Sequence, residues 1–180
     1  MRVLVISDTH IPNRADWIPE KIDKFISEQN FDVVICLGDL TGESIFEYIK
    51  SLAKKSYFVR GNMDYLNLPR SLKIQVEKVK IGAIHGDGIF PRGNRKQLLQ
   101  IAKKFEVNVL LSGHTHTPDV FEQDYILLAN PGSATGVWGG GGNPTRPSII
   151  TLDIAENTVE LKLYELEKEL VCTYSGNYKF

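Results

Sequence analysis

Residues 3–10 read VLVISDTH, a run of four apolar residues followed at once by polar residues that include Asp8 and His10. This pattern recurs along the 180-residue chain. The five apolar runs cover residues 3–6, 33–37, 57–59, 81–84 and 107–111. Because most of them are continuous and rich in β-branched residues, they are typical of strands that are buried on both faces.

Helical patterns lie between several of these runs. Apolar residues recur at three- and four-residue spacing over residues 18–26, 45–53 and 98–105, so each segment presents one apolar face. Asp16 is placed to cap the first helix and Asn94 the third. Strands that alternate with helices indicate right-handed crossovers and a largely parallel sheet.

The last third of the chain has a different pattern, with short strands joined by turns. Strands are expected there over 119–122, 125–129, 148–153 and 159–163. Earlier in the chain, before the third helical segment, a hairpin is expected over 73–76 and 80–84. We predict an α/β fold of two packed mixed β-sheets flanked by helices, a four-layer α/β/β/α sandwich. The strands of the last third are expected to form the second, more antiparallel sheet. Residues 1–165 are expected to form a single domain, and residues 166–180 a C-terminal tail that is helical or disordered.

The composition is that of an ordinary globular protein, with 42% apolar residues, 24% charged residues and a net charge of -1. Such a balance gives no global attraction to nucleic acid or to an anionic membrane surface. We see no signal peptide and no apolar run of about 18 residues, so a cytoplasmic location is expected. The two cysteines suggest no disulfide framework, and Cys36 is expected to be buried.

Candidate metal ligands follow each of the five apolar runs. All four histidines of the chain stand just past the end of such a run. Since functional groups of α/β sheets gather at the carboxyl ends of strands, the five segments are expected to converge. The segments are Ser7-Asp8-Thr9-His10, Gly38-Asp39, Gly61-Asn62-Met63-Asp64, His85-Gly86-Asp87 and Gly113-His114-Thr115-His116.

The spacing of these residues has a geometric interpretation. In an extended segment, residues i and i+2 face the same side, so Asp8 with His10 and His114 with His116 would each present a pair of ligands. Carboxylate together with imidazole suits Mn, Fe, Zn, Co or Ni better than Mg or Ca. Seven ligands suit two cations about 3.5–4 Å apart. We therefore predict two divalent transition metal ions, Mn²⁺ first and Ni²⁺, Zn²⁺, Fe²⁺ or Co²⁺ as alternatives, held by Asp8, His10, Asp39, Asn62, His85, His114 and His116.

These motifs, in this order and at these separations, resemble the calcineurin-like metallophosphoesterases. The short chain and the segment Asn130-Pro131-Gly132-Ser133 are most similar to the small YfcE-like phosphodiesterases. The resemblance implies a partition of the ligands, with Asp39 bridging two metals and with Asp39 and Asn62 as catalytic residues. One metal would take Asp8, His10 and His116, and the other would take Asn62, His85 and His114.

The implied activity is that of a hydrolase, a metal-dependent phosphodiesterase acting on a small phosphodiester substrate. A water between two cations has its pKa lowered towards neutrality, and the resulting hydroxide would attack phosphorus in line with the leaving oxygen. Many relatives have a histidine at the position of Met63, and a thioether donates no proton. Loss of a general acid typically costs about 10²–10⁴-fold, so alkyl monoesters should react slowly and activated aryl diesters better.

Other polar residues are candidates to contact the substrate phosphate. Asn13 and Arg92 are the main ones, and Arg14 and Arg95 are further candidates. Asp64 is expected either to orient a site residue or to serve only as a turn or capping residue. The glycine-rich loop 136–143 is interpreted as a surface insertion in preference to a lid that contacts substrate.

Three other functions compete with hydrolysis of small phosphodiesters. The small subunit of the retromer coat resembles this chain and also lacks the histidine at residue 63, which would suggest a protein-binding scaffold, whereas the complete ligand set favours catalysis. An amidohydrolase barrel generally has about 250 residues, so the short chain and the late position of His114-Thr115-His116 disfavour it. A nuclease is not supported by any basic-aromatic stripe, although short nucleotides such as cyclic monophosphates stay open. A homodimer is the base-rate expectation.

Overall fold

The computed structural model describes residues 1–140 and 145–180. Eleven strands and three helices occur within these residues. In chain order they are β1 (Arg2–Ile6), α1 (Glu20–Glu28), β2 (Phe31–Cys36), α2 (Glu43–Ser51), β3 (Ala53–Phe58), β4 (Ser71–Val76), β5 (Val79–Ile84), α3 (Arg95–Phe105), β6 (Val109–Ser112), β7 (Asp119–Gln123), β8 (Ile126–Asn130), β9 (Ser148–Ala155), β10 (Thr158–Leu166) and β11 (Leu170–Lys179). No helix among the described residues is both long enough and apolar enough to cross a lipid bilayer.

The strands form two mixed sheets. The first sheet has the order β11-β10-β9-β1-β2-β3, and the second has the order β4-β5-β6-β8-β7. Strands β1, β2 and β3 run parallel, as do β5, β6 and β8. The remaining neighbours pair antiparallel, including the predicted hairpin β4–β5.

Burial on both faces explains the continuous apolar runs. In β1, Val3 and Val5 belong to the core between the two sheets, whereas Leu4 and Ile6 pack in the layer that contains helices α1 and α2. Helix α3 covers the outer face of the second sheet. Since successive side chains of a strand face opposite sides, both must be apolar here. The predicted four-layer α/β/β/α sandwich is confirmed.

The assignment of the last third to one separate sheet was wrong. Strands β7 and β8 complete the second sheet, whereas β9 and β10 extend the first sheet by the antiparallel pairing of β9 with β1. The alternation of residues predicts a strand but carries no information about its partner, because both sheets offer an open edge.

The expectation for residues 166–180 was also wrong, because residues 170–179 form strand β11 and pair antiparallel with β10. Tyr178 is buried in the core between the sheets, which fixes this strand in place. At the helix starts, Asn94 caps α3 as predicted by accepting the Gln97 backbone N–H at 3.2 Å. The prediction that Asp16 caps the first helix was wrong, because α1 begins after Pro19 and has no side-chain cap.

The turns that follow the strands are joined by backbone hydrogen bonds. Asp8 N–H donates to the Gly38 carbonyl at 3.0 Å, and Gly113 N–H donates to the His85 carbonyl at 2.8 Å. A third bond, from His114 N–H to Asp8 Oδ2 at 3.0 Å, joins a turn of the second sheet to one of the first. The ligand-bearing segments therefore meet at one end of the sandwich.

Candidate metal centre

One group of candidate ligands combines the turn after β1 with the turn after β6. It consists of Asp8, His10 and His116, whose ligand atoms all lie within 4.8 Å of one another. His116 Nε2 lies 3.3 Å from Asp8 Oδ1 and 3.2 Å from His10 Nε2. All three side chains are buried.

The second group combines turns from both sheets. It consists of Asp39, His85 and His114, again with their ligand atoms within 4.8 Å of one another. His114 Nδ1 lies 3.2 Å from His85 Nε2. The side chain of Asn62, an exposed residue, lies beside this group, with Oδ1 3.1 Å from His85 Nε2.

Asp39 lies between the two groups. Its Oδ2 is 3.4 Å from His10 Nε2 and 3.5 Å from His85 Nε2, whereas Oδ1 accepts the Met63 backbone N–H at 2.8 Å. One carboxylate oxygen is thus fixed by the backbone and the other faces both groups. The structure brings all seven sequence-predicted ligands together.

The backbone at these ligands differs from the extended form that the spacing suggested. Five of the seven positions have a positive φ, a conformation that residues other than glycine adopt rarely and at a cost of roughly 1–3 kcal/mol each. The φ angles are 54° at Asp8, 47° at His10, 53° at Asp39, 68° at His114 and 60° at His116. The paired ligands converge because each turn is left-handed, and such clustered strain is typical of functional sites.

Backbone carbonyls fix the orientation of two imidazoles. His85 Nδ1 lies 2.7 Å from the Leu37 carbonyl, and His116 Nδ1 lies 2.7 Å from the Val137 carbonyl. A carbonyl only accepts, so each Nδ1 carries the proton and each Nε2 faces the neighbouring ligands. This arrangement is the one commonly found around metal-binding histidines.

The two buried carboxylates draw positive charge into the centre. Burial alone would lower the pKa of His85, but hydrogen bonding to Asp39 and the charges of Asp8 and Asp39 outweigh it and raise the pKa to about 9. Burial also acts to lower the pKa of His116, and the adjacent Asp8 carboxylate raises it overall. Burial prevails at His10, where it lowers the pKa to about 4.

These residues fit a pair of transition metal cations. Asp8 Oδ1 is buried without a hydrogen-bond partner among the described residues, as expected of an atom that would bind a cation. Burial opposes ionisation of Asp8, but interaction with His116 and the charge of His85 outweigh it and lower the pKa of the carboxyl. The donor set of carboxylate oxygens and imidazole nitrogens suits Mn, Fe, Co, Ni or Zn.

Asp64 holds the turn that carries Asp39, a role that the sequence left undecided. Its carboxylate is buried and accepts four backbone N–H groups, so both oxygens are fully used. The donors are Asp39 and Gly61 to Oδ2, both at 2.8 Å, and Leu40 and Thr41 to Oδ1, at 2.8 and 3.0 Å. Together with the Met63 N–H on Asp39, this makes a reciprocal clamp between the two turns.

At two glycines the backbone lies in direct contact with a carboxylate group, that of Asp39 or that of Asp8. A Cβ at residue 61 would overlap Asp39 Oδ1 and lie 2.8 Å from its Cγ, and a Cβ at residue 113 would lie 2.8 Å from Asp8 Oδ2. Only glycine fits at such distances. The Gly61-Asn62 and Gly113-His114 patterns of the sequence thus reflect a steric need of the centre.

A segment that we call the strap, residues 133–140, runs across the first group. Ser133 Oγ donates to the Asp8 carbonyl at 2.7 Å, and Thr135 Oγ1 donates to the Thr9 carbonyl at 2.9 Å. The strap carbonyl of Val137 accepts from His116, as described above. The loop 136–143 was expected to be a surface insertion, yet its residues 136–140 belong to the strap, and 141–143 lie outside the described residues.

The predicted substrate contacts have different surroundings. Arg14 Nη1 donates to the Trp138 carbonyl at 2.8 Å and Arg92 Nη1 donates to the Gly139 carbonyl, so both arginines reach the strap. Asn13 is exposed on the turn after His10. Arg95 instead forms a bidentate ion pair with Asp119, at 3.0 and 2.5 Å, which occupies its guanidinium.

Comparison with known proteins identifies the class to which this fold and site belong. Residues 1–157 match the family model of the calcineurin-like phosphoesterase superfamily domain. The chain therefore belongs to the calcineurin-like phosphoesterase superfamily, as the motifs predicted. Family and ligand groups together support a metal-dependent phosphoesterase.

Individual relatives show how far the likeness extends. The chain is 44% identical over 171 residues to a Probable metallophosphoesterase of Methanocaldococcus jannaschii, a match covering 93% of this chain and 83% of the relative. It superposes on Vacuolar Protein Sorting 29 of Cryptosporidium parvum with a TM-score of 0.93 at 26% identity, covering 99% and 98% of the two chains. The Vps29 of Entamoeba histolytica, solved in complex with zinc, gives a TM-score of 0.92 at 28% identity over 98% and 99%.

Replacement of Asp64 tests the clamp. In Asp64→Asn one oxygen becomes an amide that cannot accept, so two buried N–H groups lose their partner, and we expect unfolding free energy to fall by about 2–5 kcal/mol. Chemical denaturation in the presence of a chelator measures this change. Asp87→Asn, which loses only the partner of the exposed Arg70, should change stability by less than about 1 kcal/mol. Equal losses in the two variants would contradict the clamp.

Replacement of Gly61 tests the close approach to Asp39. In Gly61→Ala the added methyl group must displace the Asp39 carboxylate, so affinity for Mn²⁺ should fall by at least about tenfold, measured by calorimetric titration. Gly88→Ala is the matched control, because a Cβ there meets nothing within 4 Å. The interpretation fails if both variants bind Mn²⁺ as tightly as the unmodified protein.

Proposed function

We propose that this protein is a dinuclear-metal-dependent phosphodiesterase that acts on small phosphodiesters. The observation that carries the proposal is the position of Asp39, whose Oδ2 faces a histidine of each ligand group at 3.4 and 3.5 Å. A carboxylate oxygen shared between two such groups is suited to a pair of cations that act together on one phosphoryl group.

The seven candidate ligands would hold two cations. Asp8, His10 and His116 would hold one cation, Asn62, His85 and His114 the other, and Asp39 would contact both. Bound divalent cations supply Lewis acidity, which lowers the pKa of water and offsets charge on the phosphoryl group. The carbonyls of Leu37 and Val137 keep the imidazoles oriented, and the Asp64 clamp keeps Asp39 in place.

Met63 determines which leaving groups depart readily. It follows Asn62 directly, its N–H is bound to Asp39, and its side chain is 41% exposed. A thioether donates no proton to a leaving oxygen, and the neighbouring Asp64 carboxylate is fully occupied by backbone donors. Esters of acidic alcohols such as p-nitrophenol need no such proton and are therefore the favoured class.

A protein-binding scaffold is the second candidate function. Met63, Tyr65 and Phe90, on the segments that follow the ligands of the second group, are 41%, 71% and 83% exposed. Exposed apolar side chains are suited to contact with another protein. The likeness to the vacuolar sorting structures points the same way, whereas the complete ligand set favours hydrolysis.

Metal-dependent hydrolysis of bis-p-nitrophenyl phosphate tests the first candidate. Protein loaded with Mn²⁺ should release p-nitrophenol, and a chelator should abolish the release. Asp39→Asn should lower the rate by at least about a hundredfold, because the shared oxygen loses its charge. Metal-loaded protein that hydrolyses no diester with Mn²⁺, Ni²⁺, Zn²⁺, Fe²⁺ or Co²⁺ would favour the scaffold.

Restoring a proton donor at residue 63 tests the role of that position. Met63→His should raise turnover of phosphoesters with alkyl leaving groups by roughly 10²-fold, while p-nitrophenyl esters should gain little. The measurement is the slope of log rate against leaving-group pKa for a series of esters, which should become shallower. An unchanged slope would show that residue 63 does not reach the leaving oxygen.

A further inference from the structure

Two arginines at the metal centre carry charge that no carboxylate offsets. Four of the seven arginines form ion pairs, namely Arg2 with Asp153, Arg70 with Asp87, Arg95 with Asp119 and Arg146 with Glu167. Arg14 and Arg92 bind only backbone carbonyls, and across 1–140 and 145–180 no carboxylate lies within ion-pair distance of either. Both are exposed.

Both guanidinium groups lie beside the centre. Arg14 belongs to the turn that leaves His10, since its N–H donates to the His10 carbonyl at 2.7 Å. Arg92 reaches the strap next to His116, because Gly139, whose carbonyl it binds, packs so closely that a Cβ there would lie 2.6 Å from His116 Cγ. The two arginines thus bind successive strap carbonyls, those of Trp138 and Gly139.

The strap orients the two guanidinium groups but uses only some of their N–H donors. A guanidinium has five N–H donors in a fixed planar fork, and each strap bond is made by Nη1 alone. The remaining donors suit an oxyanion, which a guanidinium binds in bidentate fashion. A neutral carbonyl partner leaves the positive charge in place.

The charge balance indicates what kind of substrate such a pair serves. Two divalent cations would bring four positive charges, of which the carboxylates of Asp8 and Asp39 offset two. A simple phosphodiester and the attacking hydroxide bring one negative charge each, and together they already meet this excess. Two further guanidinium charges beside the centre therefore suit a substrate that carries more negative charge than its scissile diester.

We propose that Arg14 and Arg92 form a second anion subsite, which binds a phosphate group of the substrate beside the phosphodiester that is cleaved. This inference rests on the proposed phosphodiesterase function and narrows its substrate class to diesters with an additional phosphate. The strap is the element that sets the position of the subsite relative to the metals.

A matched pair of chromogenic substrates tests the subsite. Thymidine 5′-(p-nitrophenyl phosphate) and its 3′-phosphorylated analogue share one scissile bond and differ only in an added phosphate. The unmodified protein should show a kcat/KM for the analogue that is higher by roughly ten- to a hundredfold, the range of charged hydrogen bonds. In Arg14→Ala/Arg92→Ala the ratio should fall close to one.

Arg146→Ala is the control variant, because Arg146 is exposed and paired with Glu167. It should leave the ratio unchanged, and thermal unfolding of every variant verifies that it is folded. If the double variant loses kcat/KM equally for both substrates, the arginines contact the scissile phosphate and the second subsite is ruled out. A ratio of one in the unmodified protein overturns the proposal as well.

Equilibrium binding separates this inference from the function on which it rests. Calorimetry of the Mn²⁺-loaded protein should show tighter binding of thymidine 3′,5′-bisphosphate than of thymidine 5′-monophosphate, and the preference should vanish in the double variant. Such a preference without hydrolysis of either diester would support the subsite and contradict the phosphodiesterase. Hydrolysis of both diesters without any preference would support the enzyme and overturn the subsite.

Discussion

The centre depends on the reciprocal clamp between the Asp39 and Asp64 turns. Asp64 binds the N–H groups of Asp39, Leu40, Thr41 and Gly61, while Asp39 binds that of Met63. These bonds decide which Asp39 oxygen remains to face the histidines. Because Oδ2 of Asp39 lies beside a histidine of each candidate ligand group, a small rotation of this one carboxylate would move the shared oxygen away from them.

Packing of the two sheets explains how the chain tolerates its unfavourable backbone. Left-handed residues at five ligand positions oppose folding, and their cost must be offset by the surrounding packing. Both sheets are covered on both faces, which gives the strands on either side of the turns a rigid frame. Strain at the turns therefore does not relax by movement of the strands.

The sequence predicted the layers and the convergence of the candidate ligands, because both follow from local patterns. Continuous apolar runs require burial on two faces, and ligands at the ends of parallel strands must converge. Sheet membership of β7 to β10 and the pairing of β11 depend on long-range partners that no local pattern encodes. The Asp64 clamp was left undecided for a similar reason, since its four donors are backbone groups and backbone is the same in every sequence. The only local signal for the clamp was the presence of Asp64 in the motif Gly61-Asn62-Met63-Asp64.

The strap makes its contacts with the centre at residues 137–139 through main-chain oxygens. Every amino acid possesses this oxygen, so the side chain of residue 137 can change in evolution while those bonds are inherited intact. Residue 139 is the exception, since the ring of His116 leaves room only for glycine. Related proteins can in this way differ in the molecules that they recognise, while the candidate ligands under the strap keep their positions.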